Sequence, residues 1–288
     1  MEAPDITIIG VGRLGNSLAK ALSAAGIPIK SLYNRTANKA QKLAADLNIN
    51  VSGSFPSDDH ELGDLIFITV ADGAIEGVAH RLADITEDFS AKTIVHCSGN
   101  ESAIILADLK SKGGSIASFH PLQTFTGYSE PSDFEEIYFS LQGNKSAFPQ
   151  LKEVAKRLGA ETLEVTEDQK SHLHVAAVLA SNYLNTLLDA AVETASASGL
   201  APKKAKKALM PLVKTTLQNI EDQSFEDALS GPIKRGDLQT VEHHLDLLKD
   251  KPELLALYQI LGQRTVELAK KSQQIDHDTA RKMIKMLK

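Results

Sequence analysis

The chain has no tryptophan and one cysteine, Cys97, in 288 residues. A single thiol cannot close a disulfide within the chain, so a reducing, cytoplasmic location is the expectation. The start, Met1 to Asp5, lacks the basic stretch and cleavage site of a secretory signal. No uninterrupted apolar run approaches the roughly 20 residues that span a bilayer, so no membrane association is expected. Net charge is −6, and the basic residues are scattered apart from Lys203, Lys204, Lys206 and Lys207, which read as a solvated helix face. A nucleic-acid backbone would be repelled, and no nucleic-acid partner is expected. The nine histidines form no HExxH pattern and have no cysteine cluster beside them, so a metal site is not expected.

What is present is an ordinary globular composition, 42% hydrophobic and 24% charged, at a length comfortable for two domains. The first half alternates strand-like and helix-like segments. Ile6–Ile9 is a short apolar run, Ile29–Tyr33 and Ser115–Phe119 read as further strands, and Leu65–Val70 and Thr93–Cys97 are continuous apolar runs that suit strands covered on both faces. Helical patterns occupy Asn16–Ala25 and Ala37–Leu47, and two further short strands flank a helix at Phe148–Leu158. Strand signals stop near residue 167. Helices follow at Asp168–Ser198 (capped by Gly199), Pro202–Asn219, Asp237–Leu248, Pro252–Lys271 and His277–Leu287. The expected fold class is α/β, a doubly wound Rossmann domain over residues 1–166, then an all-helical domain over 167–288.

The sequence Gly10-Val11-Gly12-Arg13-Leu14-Gly15 fits G-x-G-x-x-G, follows a strand and opens a helix. In that context the first glycine permits the turn, the second lets backbone approach a pyrophosphate, and the third lets helix pack on strand. The helix N-terminus, with Arg13 and Leu14 in its first turn, supplies N–H donors to phosphate. At the end of the second strand an NAD site would place a carboxylate; this chain has Asn34-Arg35-Thr36. Arg35 can bind a 2′-phosphate bidentately, or it is a solvated surface residue; the first reading makes NADP the expected cofactor. Val70-Ala71-Asp72 and Ser98-Gly99 end later strands, where ligands of open α/β sheets bind. Cys97, at the end of a buried strand, reads as a small core residue.

In the helical half, Lys170, His174, Ser181 and Asn185 fall on one stripe of an ideal α-helix at about 100° per residue, with Asn182 beside it. Such a polar stripe among Ala, Val and Leu needs partners, either a cleft facing the nicotinamide or neighbouring helices. His172 points elsewhere. Lys170 and His174 are candidate proton donors, with His120, at the His120-Pro121 strand end, as the alternative. Ser181, Asn182 and Arg235 are candidate substrate contacts; Arg235 could hold a carboxylate or be structural, and Asp237 suits an N-cap.

These motifs together resemble a family of Rossmann-like proteins with a C-terminal domain of unknown function, DUF2520, within the 6-phosphogluconate dehydrogenase-like superfamily. That superfamily includes pyrroline-5-carboxylate, ketopantoate and β-hydroxyacid reductases or dehydrogenases. The resemblance rests on GVGRLG at 10–15, NRT at 34–36, HPLQTF at 120–125, Lys170, the His174–Ala177 run with Ser181-Asn182, and GPIKRGD at 231–237 followed by Thr240 and His243. It implies an NADP(H)-dependent oxidoreductase acting on a small carbonyl, hydroxyl or imine compound. The β-hydroxyacid dehydrogenases carry a catalytic lysine on the first helix of the second domain with asparagine four residues later; here His174 stands at that place. Dimerisation through the helical domain is common in the superfamily, and Ala176, Ala177, Ala180 and Ala191 would allow close helix approach. A noncatalytic NADP-binding sensor or scaffold shares the first domain, and coenzyme F420-dependent reduction is a further possibility implied by the resemblance.

Overall fold

The computed structural model describes residues 4–126 and 130–288; of the N-terminal stretch discussed above, Met1 to Ala3 lie outside them. Strands and helices alternate as β1 (Ile6–Ile9), α1 (Arg13–Ala24), β2 (Ile29–Tyr33), α2 (Ala37–Leu47), β3 (Val51–Gly53), β4 (Leu65–Ile68), α3 (Ile75–Ala83), β5 (Thr93–His96), α4 (Ala107–Ser111), β6 (Ser115–Pro121), β7 (Tyr138–Gly143), α5 (Phe148–Arg157) and β8 (Glu161–Glu164). Helices then follow: α6 (Glu167–Ala177), a π-helical turn (Val178–Asn182), α7 (Tyr183–Ser196), α8 (Pro202–Asp222), α9 (Phe225–Ala228), α10 (Leu238–Leu248), α11 (Pro252–Lys271) and α12 (His277–Met286). The doubly wound α/β reading of the first half and the helical reading of the second both hold.

The eight strands form one sheet in the order β3-β2-β1-β4-β5-β6-β7-β8. All neighbouring pairs are parallel except β6 and β7, where Phe119 faces Leu141 in antiparallel register. Every residue of β1, β4 and β5 is buried, as expected of strands covered by helices on both faces. Strand order reverses between β1 and β4, which places the ligand crevice of such folds beyond the C-terminal ends of those strands. β3 escaped the sequence pattern because it is three residues long and only half-buried. α1 begins at Arg13, directly after the second glycine of the loop.

Contacts divide the chain into two compact units, Met1–Asn182 and Tyr183–Lys288. The change of pattern near residue 167 marks where strands stop; contacts keep α6 and the π turn with the first unit. The second unit has its own core, including Val241, Val266, Met283 and Leu287 from α10, α11 and α12. Asp237 caps α10, accepting from the Thr240 N–H at 3.0 Å.

One expectation needs correction. The stripe of Lys170, His174, Ser181 and Asn185 assumed an unbroken α-helix, but a π turn occupies 178–182. A π turn carries one residue more than an α turn, so Asn185 is turned by about 100° from the position an unbroken α-helix would give it, to the other side of Lys170 from His174. The same region has a further property, its length and average hydropathy. Glu167–Ser196 forms a 30-residue helix whose best 18-residue window has mean hydropathy 1.3, with none of that window buried. By length and composition it could cross a membrane. The scattered Ser, Asn and Thr that interrupt the apolar run hid this average from a search for unbroken stretches.

Candidate active site

The glycine-rich loop is built for a close ligand. Gly10 has φ +112°, a left-handed value that disfavours any side chain, and its N–H donates to the Tyr33 carbonyl at 2.8 Å. A methyl group on Gly15 would lie 1.9 Å from the Gly10 carbonyl oxygen, so helix and loop can approach only with glycine there. A methyl on Gly12 would meet nothing within 4 Å, leaving open space at the N-terminus of α1, which no side chain caps. Open space beside uncapped N–H groups suits a pyrophosphate. Asn34 works differently from a direct ligand contact: its Oδ1 accepts from the Val11 N–H at 3.0 Å and its Nδ2 donates to the Thr36 carbonyl at 3.1 Å. It thereby ties the glycine loop to the start of α2.

Arg35 and Thr36 are exposed, and among the described residues no ion pair engages Arg35. Nearby, a cleft of about 610 Å³ between α1 and α2 is lined by Gly12, Arg13, Lys20, Lys39 and Lys42, with Asp46 its one carboxylate. The lysines escaped the sequence reading because they lie on two helices far apart in the chain. Lys39 and Lys42 share a helix face, three residues apart. Thr69, at the end of β4, donates to the Gly10 carbonyl at 2.6 Å and supports the loop from below. Val70 is half-buried, and Ala71 and Asp72 are exposed beyond it.

A polar cluster occupies the ends of β5 and β6, facing α6. The phase of α6 is set by a capping box: Thr166 Oγ1 accepts from the Gln169 N–H, and Gln169 Oε1 accepts from the Thr166 N–H. That start places Lys170 inward, only 2% exposed. Its ammonium donates to the Ser98 carbonyl at 2.6 Å and to Ser118 Oγ at 2.8 Å. Burial lowers its pKa to about 8, while Cys97, Asp72 and Glu101 pull it upward. At neutral pH it keeps its proton.

His96 and Ser118, which the sequence reading did not single out, complete this floor. His96 is fully buried, and its Nδ1 accepts from the Ser98 N–H at 3.2 Å. Ser98 is held further by its own hydroxyl, which accepts from the N–H groups of Asn100 and Glu101 at 3.1 and 3.0 Å. The Ser98 carbonyl that Lys170 uses is therefore fixed from three sides. Both residues lie on strands whose apolar pattern gave no sign of chemistry; only the fold brings them under Lys170. Burial, and then the charge of Lys170, lower the His96 pKa to about 4. Burial, then Lys170, His174 and His96, lower the His120 pKa to about 4 as well. Both rings are neutral at pH 7. Cys97 is buried with its thiol pushed up to about 12, so it is an inert core thiol as expected.

His120 and His174 meet edge to face, with ring centroids 6.2 Å apart and an interplanar angle of 76°. His174 Nδ1 is buried without a hydrogen-bond partner. Ser181, on the π turn, exchanges a hydrogen bond of 3.0 Å with Thr124, and Asn182 ends that turn. Thus Lys170, His174, His120, Ser98 and Gly99 come together within the first unit. Arg235 belongs to the second unit, where its N–H donates to the Gly231 carbonyl at 3.4 Å. His172 is exposed beside Asp168, and no metal-binding group of three or more side chains exists among the described residues.

An open, mostly parallel sheet with a glycine-rich β1–α1 turn and a polar floor at its C-terminal edge has the form of an NADP oxidoreductase-like fold. Comparison with known proteins makes this more specific. Residues 5–100 match the family described as NADP oxidoreductase, coenzyme F420-dependent, and residues 137–265 match the domain of unknown function DUF2520. The chain therefore joins an NADP oxidoreductase-type N-terminal segment to a DUF2520 segment, the family its motifs resemble. A Bacteroides fragilis protein provisionally named an NADP oxidoreductase is 27% identical, with TM-score 0.69, over 90% of this chain and 96% of its own. A Thermotoga maritima protein is 25% identical, with TM-score 0.74, over 93% and 99%. A reductive aminase from Aspergillus terreus, solved with NADPH4, cyclohexanone and allyl amine, shares the fold at 17% identity and TM-score 0.62, over 99% and 100%. No curated protein matches the sequence.

Proposed function

We propose that the protein is an NADP(H)-dependent oxidoreductase acting on a small carbonyl, hydroxyl or imine compound. The observation that carries this reading is the buried Lys170 ammonium with two imidazoles beside it, at the strand ends of a sheet that also presents the glycine-rich loop. A dinucleotide fits what is present: open space at Gly12, an uncapped α1, and Arg13, Arg35 and Lys39 as cations for its phosphates. The four basic side chains of the α1–α2 cleft, set against one carboxylate, favour the extra phosphate of NADP over NAD. When bound, the nicotinamide supplies or accepts the hydride.

The chain's own residues then manage the proton. Lys170 carries an ionisable proton at pH 7, whereas burial keeps His120 neutral. His120 and His174 orient the reacting group and can pass a proton between solvent and Lys170. Ser118 holds Lys170 directly through its hydroxyl, and His96 holds it indirectly by fixing Ser98, whose carbonyl accepts from the ammonium. Ser181 and Asn182 are proposed to contact the remainder of the substrate.

The test is NADPH oxidation against a panel of ketoacids, aldehydes, ketones and imines. Lys170→Met or His174→Ala should lower turnover by at least ~100-fold, the usual scale for losing a general acid, with NADPH affinity nearly unchanged. Turnover at the wild-type level in both variants would remove the cluster from the chemistry.

A further inference from the structure

The cluster around Lys170 carries information about the atom it receives. A methyl group built on Gly99 would lie 2.6 Å from His174 Nδ1 and 2.8 Å from His120 Nε2. The two nitrogens are therefore no farther apart than those lengths end to end. The methyl position itself lies one bond length from the Gly99 Cα, so an oxygen atom that joins the two nitrogens by hydrogen bonds of about 2.7 Å approaches from the side away from Gly99. Among the described residues His174 Nδ1 has no partner although it is buried, and buried nitrogens left unpaired are uncommon outside binding sites.

The charges around this gap are lopsided. Lys170 is bound by a carbonyl and a hydroxyl, both neutral, and no carboxylate lies within ion-pair distance of its ammonium among the described residues. Around it lie His96, His120 and Cys97. The carboxylates whose charge reaches it are Asp72, which is exposed, and Glu101, which is half-buried. The floor thus presents the Lys170 charge and the neutral rings of His96 and His120, with no carboxylate among the described residues within ion-pair distance to receive a cation.

We infer that the reacting heteroatom of the substrate is oxygen, in a carbonyl–alcohol couple, and that the pocket turns away protonated imines. This rests on the oxidoreductase reading above and narrows it. A carbonyl oxygen gains negative character as hydride reaches its carbon, and the cluster stabilises that charge. In the reduction direction, NADPH is the reductant and a C–H bond forms at the carbonyl carbon. The C=O π pair moves to oxygen, which takes the proton lost by Lys170; solvent restores that proton. An iminium nitrogen is already cationic in its reactive form, and Lys170 repels it.

The experiment compares matched ring compounds. NADPH oxidation is followed with cyclopentanone and with 1-pyrroline at pH 6.5. Calorimetry then measures cyclopentanol and pyrrolidinium binding to the NADP⁺ complex of the wild type and of Lys170→Met. The ketone should be favoured in kcat/KM by on the order of 100-fold, the scale a like charge several ångströms away imposes at intermediate dielectric. Cyclopentanol should bind the wild type, and pyrrolidinium should gain at least ~10-fold in affinity in Lys170→Met. Preference for the imine, or pyrrolidinium exclusion that survives in Lys170→Met, overturns the inference and leaves the oxidoreductase reading standing. Absence of turnover and binding for every compound overturns both.

Discussion

A lysine ammonium buried without a carboxylate is costly, and that cost has a pH signature. Lys170 releases its proton near pH 8 in the folded chain, against 10.5 for an ordinary lysine. Each pH unit between those values corresponds to about 1.4 kcal/mol, so the folded state gives up about 3 kcal/mol to keep this group charged. The group's proton affinity is lowered by folding. The penalty is therefore complete below pH 8 and is relieved as pH rises to 10.5, where the unfolded chain also loses the proton. Lys170→Met has no such term. Guanidinium chloride unfolding, followed by tyrosine fluorescence in this tryptophan-free chain, would compare the two proteins at pH 7 and pH 10.5. Relative to wild type, the variant should be about 3 kcal/mol better placed at pH 7 than at pH 10.5. Cleavage of the Ser98 and Ser118 hydrogen bonds affects the variant at both pH values and cancels in the comparison. A stability difference that stays constant across this range would refute the claim that Lys170 is held charged in a poorly solvating site.

Other outcomes follow from separate parts of the structure. NADPH should bind the wild type at least ~10-fold more tightly than NADH, and Arg35→Ala should remove most of that difference by weakening NADPH alone, as calorimetry would show. Gly99→Ala forces a methyl into both imidazoles and should cost about 1–3 kcal/mol, with a matching fall in turnover; an unchanged unfolding midpoint would mean that the rings move aside freely. Leu212, Leu217, Leu247 and Ile260 are large exposed apolar side chains of the second unit. They are proposed to be covered in a homodimer built on the helical unit, so light scattering at micromolar concentration should give twice the chain mass. A monomeric mass, with protein that floats with lipid vesicles, would instead assign the apolar helix surface to a membrane.

The sheet was legible in the sequence because parallel strands need uninterrupted apolar runs, and LIFI and TIVH supply them. The glycine loop was legible because Gly10 and Gly15 each meet a steric demand, the first left-handed and the second crowded, while Gly12 opens space at the start of α1. Lys170, His174 and His120 were found through motif and helix phase. His96 and Ser118 were not, since a polar residue within a buried strand carries no local signal of its tertiary partner, here Lys170 seventy-odd positions away for Ser98. Phase arithmetic also has a limited range. It held from Lys170 to His174, one turn apart, and lapsed at Asn185 once a π turn intervened.

That π turn has a consequence for how such chains are aligned. A segment that winds one extra residue into a single turn behaves as an insertion absorbed without a loop, invisible to any scheme that assigns gaps to loops alone. Relatives whose helix lacks it will match this chain up to Ala177 and then drift out of register by one place from Tyr183 onward. Equivalences across α7 are recovered by placing a single-residue gap between 178 and 182. Deleting one residue there, as a protein engineer might, would turn every later side chain of that helix by about 100° while leaving Lys170 and His174 where they are.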